Sequence, residues 1–340
     1  MSENTPSKIL IRTPNWLGDL VIASGFVKAI LDYYPESNVD LIVKSGFENL
    51  PMPQRGKIIV FDAGKNTAGT FGRELSSKNY SHFYVLPPSF SSAWMAFQSR
   101  IPQRIGYAGE FRSLLLSKAK KHEVKPRSVH ILKEYLNLLD PKLSMEKYPP
   151  NLEITGEWTQ KHLNTFQKPL PESYIVFTPG AVYGPAKQWP LEHFRTLATN
   201  IKKSFGIPIL ILGTNEDADF GEEISQGFEG IHNYCGHTSL TEFLAILSKA
   251  KLLISNDSGS MHLMGALKRP QIAFFGSTSP SWTAPVNPSA SILCNNLFCS
   301  PCFSRKCRYG HYDCLKKIHP ELVFQAAQKI LSVKNSNFSR

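Results

Sequence analysis

Short apolar runs and helix-length amphipathic segments take turns along this chain, and that alternation leaves few folds open to it. Residues 8–12 (KILIR), 39–44, 57–61 and 83–86 predict strands, with a helix over about 20–34 after the first. Strands that alternate with helices pair in parallel through right-handed crossovers. The rhythm breaks at 149–171, where four prolines and one short helical segment suit a connection between domains. It then restarts, with strands predicted at 174–178, 208–212, 252–255 and 271–275 and helices at about 191–205, 240–249, 260–267 and 320–333. A length of 340 residues accommodates two such domains. The expectation is therefore an α/β protein of two doubly wound parallel-sheet domains, 1–168 and 169–319, closed by a helix and tail over 320–340. Facing carboxyl edges of the two sheets would form a ligand cleft.

Other classes are excluded by what is missing. No G-x-G-x-x-G follows a strand and no G-x-x-x-x-G-K-[ST] is present, so neither a dinucleotide cofactor nor an NTPase phosphate loop is supported. Zinc-protease and esterase signatures are also missing. No apolar stretch approaches spanning length, and the start of the chain has no secretory pattern, so a cytoplasmic location is expected. The formal net charge of +11 favours anionic partners: nucleic acid, nucleotides, phosphorylated lipid or a membrane surface.

Three polar, glycine-bearing loops follow predicted strands. The first, TPNWLGD (13–19), ends on Asp19, where a helix begins. Asp19 reads either as a helix cap or as a general base at the cleft floor. The second, TPGAVYGPAKQWP (178–190), is shaped by two glycines and three prolines. Helix amides after Pro190 suit an anion, and Lys187 adds a positive charge for a diphosphate, unless it is an ordinary solvated lysine. The third, SNDSGSMH (255–262), opens another helix: Asp257 and Ser258 can cap it, Gly259 allows close approach to a ligand, and His262 lies one turn in. GSTSP (276–280) reaches the same sheet edge with hydroxyls suited to sugar or phosphate.

Five of the six cysteines fall between Cys294 and Cys314. The spacing of Cys299, Cys302, Cys307 and Cys314 could ligate zinc; packed thiols are the default in a reducing compartment. Between Arg100 and Arg127 basic residues outnumber acidic ones, with only Glu110 and Glu123 opposing them. That stretch reads either as a solvated face or as a rim for an anionic acceptor or lipid headgroups. Few aromatics interleave with it, which disfavours a nucleic-acid platform.

Together these motifs resemble glycosyltransferase family 9, the ADP-heptose:lipopolysaccharide heptosyltransferases. ILIRTPNWLGDLVIASGF resembles the family's opening strand, Gly-Asp loop and helix. YVLPPSFSSAWMAFQSRIPQRIGYAGEFR resembles its acceptor segment, with SFSSAW standing where SFKSAL is more usual. TPGAVYGPAKQWPLEHF, NDSGSMHLMGAL, GSTSP and CSPC…CRYGHYDC resemble its donor domain, and the PGA-x-YGPAK-x-WP and CSPC signatures its heptosyltransferase II branch. The resemblance implies the GT-B architecture, two facing Rossmann-like domains, and inverting transfer of heptose from ADP-heptose to heptosyl-Kdo2-lipid A. It implies Asp19 as the catalytic base and Lys187 as the group stabilising the departing diphosphate. It implies donor contacts from Gly180, Tyr183, Lys187, Glu216, Asp257, Ser258, Gly259 and His262, and acceptor contacts from Asn15, Trp16, Arg104 and Arg112. No cofactor is required on this reading, with magnesium at most stimulatory. The partners implied are ADP-heptose, an anionic lipid A–Kdo–heptose acceptor and the inner leaflet at the cytoplasmic face of the inner membrane, without nucleic acid. A related transferase using another heptose step or nucleotide sugar, and a non-catalytic module for anionic surfaces or nucleic acid, are the alternatives.

Overall fold

The first apolar run does form a strand, and its neighbours explain why. Ile9, Leu10 and Ile11 are wholly buried, as strands covered by helices on both faces require. In the computed structural model, which describes residues 6–109, 111–125 and 127–333, the chain divides into two compact units after Glu153.

The first unit runs β1 (Lys8–Arg12), α1 (Leu17–Tyr33), β2 (Asn38–Lys44), β3 (Ile58–Phe61), α2 (Ala68–Leu75), β4 (His82–Val85), α3 (Phe90–Gln98), β5 (Gln103–Tyr107), β6 (Lys118–Lys120) and α4 (Ile131–Leu139). Its six strands are ordered β3-β2-β1-β4-β5-β6. Every pairing is parallel, with Arg12 opposite Val85 and Ile42 at the carboxyl edge. Thr67 and Ser89 cap α2 and α3 by accepting the Thr70 and Ser92 amides.

The second unit contains α5 (Gly156–Thr165), β7 (Ile175–Thr178), α6 (Leu191–Phe205), β8 (Ile209–Ile211), α7 (Ala218–Ser225), β9 (Ile231–Asn233), α8 (Leu240–Lys249) and β10 (Leu253–Asn256). It continues with α9 (Gly259–Ala266), β11 (Gln271–Phe275), α10 (Pro280–Thr283), β12 (Ala290–Cys294), α11 (Asp313–Lys316) and α12 (Pro320–Val333). The sheet order β12-β11-β10-β7-β8-β9 repeats that of the first unit when its strands are counted from β7. Both are the doubly wound order that reverses direction beside its first strand. The reversal falls between β1 and β4 in one sheet and between β7 and β10 in the other, so the loops after those strands are where such folds hold ligands.

The units meet earlier in the chain than the proline content suggested. Asn151 N–H still donates to Ser24 Oγ (2.8 Å) and Glu153 N–H to the Pro51 carbonyl (2.8 Å), both in the first unit. Beyond them, α5 packs on α8, and the Tyr234 hydroxyl donates to the Pro169 carbonyl at 2.6 Å. The 154–168 stretch therefore belongs to the second unit. So does α12: Val323, Ala327 and Leu331 share a core with Phe177, Trp189, Phe194 and Phe274. Burying apolar side chains of this size contributes about 1.5–3 kcal/mol each. Residues 334–340 of the expected tail lie outside the described residues.

Candidate active site

In the first unit, the loop after β1 is fixed by a buried arginine. Arg12, 2% exposed, donates Nη1 to the Thr13 carbonyl (2.9 Å) and the Ile42 carbonyl (3.3 Å), and Nη2 to Asn15 Oδ1. Thr13 adds its own hydroxyl to the Ile42 carbonyl at 2.8 Å. Burial lowers the Arg12 pKa to about 10, which leaves it charged at neutral pH. Helix α1 then starts at Leu17 with Trp16 in the cap position. Asp19 is therefore the third helical residue and not the cap; its negative charge suits the helix's first turn. The half-buried Asp19 carboxylate lies close enough to the buried Tyr135 hydroxyl of α4 to oppose its ionisation, after burial itself. Asn15 and Trp16 are exposed beside it.

The two arginines expected at the acceptor behave differently. Arg104 stands in register with Phe83, which pairs with Leu10, below the carboxyl edge. Its guanidinium is tied to the carbonyls of Ile101 (2.6 Å) and Leu115 (2.9 Å), which precede β5 and β6. Arg104 thus serves the amino edge of the sheet, away from Asp19. Arg112 is 1% exposed, in a short 3-10 turn, and its charge helps to lower the His122 pKa after burial. It is an interior group, not part of a solvated rim. Glu110, one of the two acids of that stretch, lies outside the described residues.

In the second unit, the loops after β7, β10 and β11 converge. Lys187 closes a 3-10 turn, Pro185–Lys187, and its Nζ lies 2.6 Å from Asp257 Oδ2. The Thr278 hydroxyl donates to the same oxygen at 2.5 Å. Asp257 is 3% exposed, so an unpaired charge there would be costly. Asn256 staples the Lys187 loop at both ends: its Nδ2 donates to the Pro179 carbonyl (2.5 Å) and its Oδ1 accepts the Trp189 amide (2.9 Å). Trp189 is anchored by Nε1–H donating to the Ile318 carbonyl at 2.8 Å. Gly180 is required for contact with the turn after β8, since a Cβ there would lie 2.2 Å from Asp217 Oδ1. Ser258 caps α9 in position but makes no capping bond; its hydroxyl meets Ser260 Oγ at 2.8 Å, which meets Thr178 Oγ1 at 2.7 Å. Gly259 is the first helical residue, and His262 is buried within α9. Glu216 is exposed in the turn after β8, its pKa lowered by a hydrogen bond from Thr214.

This constellation can hold an anionic diphosphate between a lysine and the first turn of α9, with sugar-binding hydroxyls and carboxylates around it. A family model described as glycosyltransferase family 9 (heptosyltransferase) matches residues 68–313. The chain belongs to glycosyltransferase family 9. Lipooligosaccharide heptosyltransferase 2 of Haemophilus ducreyi is 30% identical over 96% of this chain and 99% of that protein. Lipopolysaccharide heptosyltransferase 2 of Salmonella typhimurium is 28% identical over 96% and 99%. The solved structure of Escherichia coli ADP-heptose LPS heptosyltransferase II matches with a TM-score of 0.82 and 26% identity, covering 96% of this chain and 99% of that one. As a family 9 glycosyltransferase the chain has the GT-B fold of that structure, with two six-stranded parallel sheets flanked by helices.

For this family 9 glycosyltransferase, sequence reading brought Gly180, Tyr183, Lys187, Asp257, Ser258, Gly259 and His262 to one sheet edge, and the structure places them there. It missed the partners that hold them. Thr278 was visible only as one hydroxyl in a polar loop, and nothing local marked Arg305, whose carbonyl accepts the Ala186 amide beside Lys187 at 3.1 Å. The 299–314 loop proves to be stitched to the same edge: Cys302 and Phe303 N–H donate to the Ser277 carbonyl at 3.0 and 2.7 Å. All six cysteines are free thiols. Burial and then the charges of Cys302, Cys307 and Cys299 push Cys314 up to about 11. Among the described residues, no three His, Cys, Asp or Glu side chains are grouped to hold a metal ion, so the zinc alternative for Cys299, Cys302, Cys307 and Cys314 finds no geometric support.

Proposed function

We propose that the enzyme transfers heptose from ADP-heptose to a heptosyl-Kdo2-lipid A acceptor during assembly of the lipopolysaccharide inner core. The observation that carries this reading is end-to-end likeness, at 96% of this chain and 99% of each relative, to two proteins called heptosyltransferase 2. On this reading the half-buried Asp19 of the first unit takes the proton from the acceptor hydroxyl as that oxygen attacks the anomeric carbon. The anomeric configuration inverts, and no sugar–enzyme intermediate forms. Lys187, with the first-turn amides of α9, stabilises the diphosphate as it leaves; such charge stabilisation is worth several kcal/mol, roughly 3–4 for one well-placed donor. Glu216 binds the ribose hydroxyls, and Gly180, Tyr183, Asp257, Ser258, Gly259 and His262 shape the donor pocket. Asn15 and Trp16, exposed beside Asp19, face the acceptor sugar. No resident cofactor enters the scheme; magnesium acts, where it stimulates, through the donor's diphosphate.

Among the described residues no helix is long and apolar enough to cross a membrane. We place the enzyme at the cytoplasmic face of the inner membrane, reading its lipid acceptor from the surface. Support comes from Phe111 and Leu114, 85% and 82% exposed, in a segment that also exposes Lys118, Lys121 and Lys125. Incubation with ADP-heptose and core lipid truncated after the first heptose tests the whole reading. A product heavier by one heptose is expected. Selective stabilisation by, and transfer from, a different nucleotide sugar would replace this donor assignment, and salt-sensitive DNA binding without any donor binding would replace the enzyme reading.

A further inference from the structure

Lys187 is not the only cation at the Tyr183 ring. Its Nζ lies 4.8 Å from the ring centroid, and the guanidinium carbon of Arg305 lies 5.4 Å from the same centroid. Arg305 comes from the cysteine-rich loop, far along the chain, and its backbone is held firmly. Its carbonyl accepts the Ala186 amide at 3.1 Å, and a Cβ on Gly184, whose φ is +139°, would stand 2.7 Å from that carbonyl. Two residues earlier, the Phe303 carbonyl accepts the Tyr183 hydroxyl at 2.6 Å. Phe303 itself adopts φ +53°, an uncommon left-handed backbone for a side chain of its size. Ser300 Oγ fastens the start of the loop to the Gly276 carbonyl at 2.5 Å. An exposed arginine is thus presented by backbone that is bonded to two of the three donor-site loops.

Charge explains what such a cation is for. Lys187 is met by Asp257 at 2.6 Å, so the pair is electrically neutral. The donor's diphosphate is anionic and becomes more so as its bond to the sugar breaks. A neutral pair cannot match that change alone. Arg305 has no Asp or Glu within ion-pair distance among the described residues, so its charge is uncompensated. Its planar fork also matches phosphate oxygens better than an ammonium does.

We propose that Arg305 is the second cation of the donor site, contacting the diphosphate of the nucleotide sugar and stabilising the charge that grows on it during transfer. This rests on the ADP-heptose reading, and the test separates the two. Titration calorimetry of the full chain with ADP and with adenosine, beside transfer kinetics, is run on wild type, Arg305→Ala, Arg305→Lys and Arg308→Ala. Arg305→Ala is expected to weaken ADP binding and to lower kcat by about tenfold or more, the size of one charge-assisted hydrogen bond, with adenosine binding unchanged. Arg305→Lys recovers part of both losses. Arg308→Ala, which removes an exposed arginine lying 5.1 Å from the Tyr309 ring, leaves both as in wild type. Equal losses for ADP and adenosine, or ADP binding and kcat of Arg305→Ala within about twofold of wild type, overturn the role given to Arg305. A wild-type protein that binds no ADP overturns the donor reading instead.

Discussion

Lys187 and Asp257 meet at 2.6 Å with side chains 14% and 2% exposed, and that burial decides what removing either would do. Lys187→Ala leaves a buried carboxylate with, among the described residues, the Thr278 hydroxyl as its one side-chain donor, an orphaning that costs about 3 kcal/mol of stability or more. The variant should therefore lose both stability and turnover. Lys187→Met with Asp257→Leu removes both charges and keeps each side chain's length and branching close to the original. Denaturant unfolding should show most of the stability regained, while transfer stays lost; transfer restored along with stability would remove the electrostatic role of Lys187. The catalytic candidates were legible because each sits in a short loop whose glycines, prolines and charge announce a shaped edge. Thr278 and Arg305 were not, because each acquires its meaning from a residue distant in sequence, Asp257 and Tyr183.

At the scale of elements, strands with apolar runs were plain, and α6, α8 and α12 follow their amphipathic stripes closely. The signal failed at β5 and β6, whose sequences QRIGY and KAK carry polar and basic residues, and at the short outer strands β9 and β12, IHN and ASILC. Arg104 enters a strand because its guanidinium is satisfied by two carbonyls; β6 is an edge strand, where lysines discourage pairing with other chains. Behind these strands, α4 carries Glu134, whose Oε1 lies 3.4 Å from His122 Nδ1. Burial raises Glu134 from its ordinary 4.5 to about 7 and lowers His122 from 6.5. A raised carboxyl means the folded protein holds a proton that the unfolded chain has released, so Glu134 costs stability as pH rises from about 4.5 to about 7. The lowered imidazole has the opposite slope, its stability being lost as pH falls below 6.5. Glu134→Gln removes only the first. Thermal melts between about pH 5 and pH 8 should show the variant gaining on wild type as pH rises through that window. A difference that does not change with pH would show that Glu134 titrates normally.

The whole molecule repeats one design twice, since both sheets share a strand order and place their candidate groups after equivalent strands. The repetition was legible as a rhythm of strands and helices interrupted once. The boundary was not: prolines near 149–171 mark a change of direction, but packing of α5 on α8 decides that the second unit begins at Ile154. Net charge of +11 narrowed the partners to anions without choosing one, because charge reports on attraction and not on chemistry. The choice came from end-to-end likeness to proteins called heptosyltransferase 2, and the carboxylate after β1 and the cation after β7 are the groups proposed to serve it. Asp19→Asn probes the proton-accepting part given to the first unit, since it keeps the side chain's size and removes its basicity. Transfer from ADP-heptose should fall by about a hundredfold or more, the usual contribution of a general base, while ADP-heptose affinity stays at the wild-type value. A folded Asp19→Asn protein that transfers heptose at the wild-type rate would contradict the account.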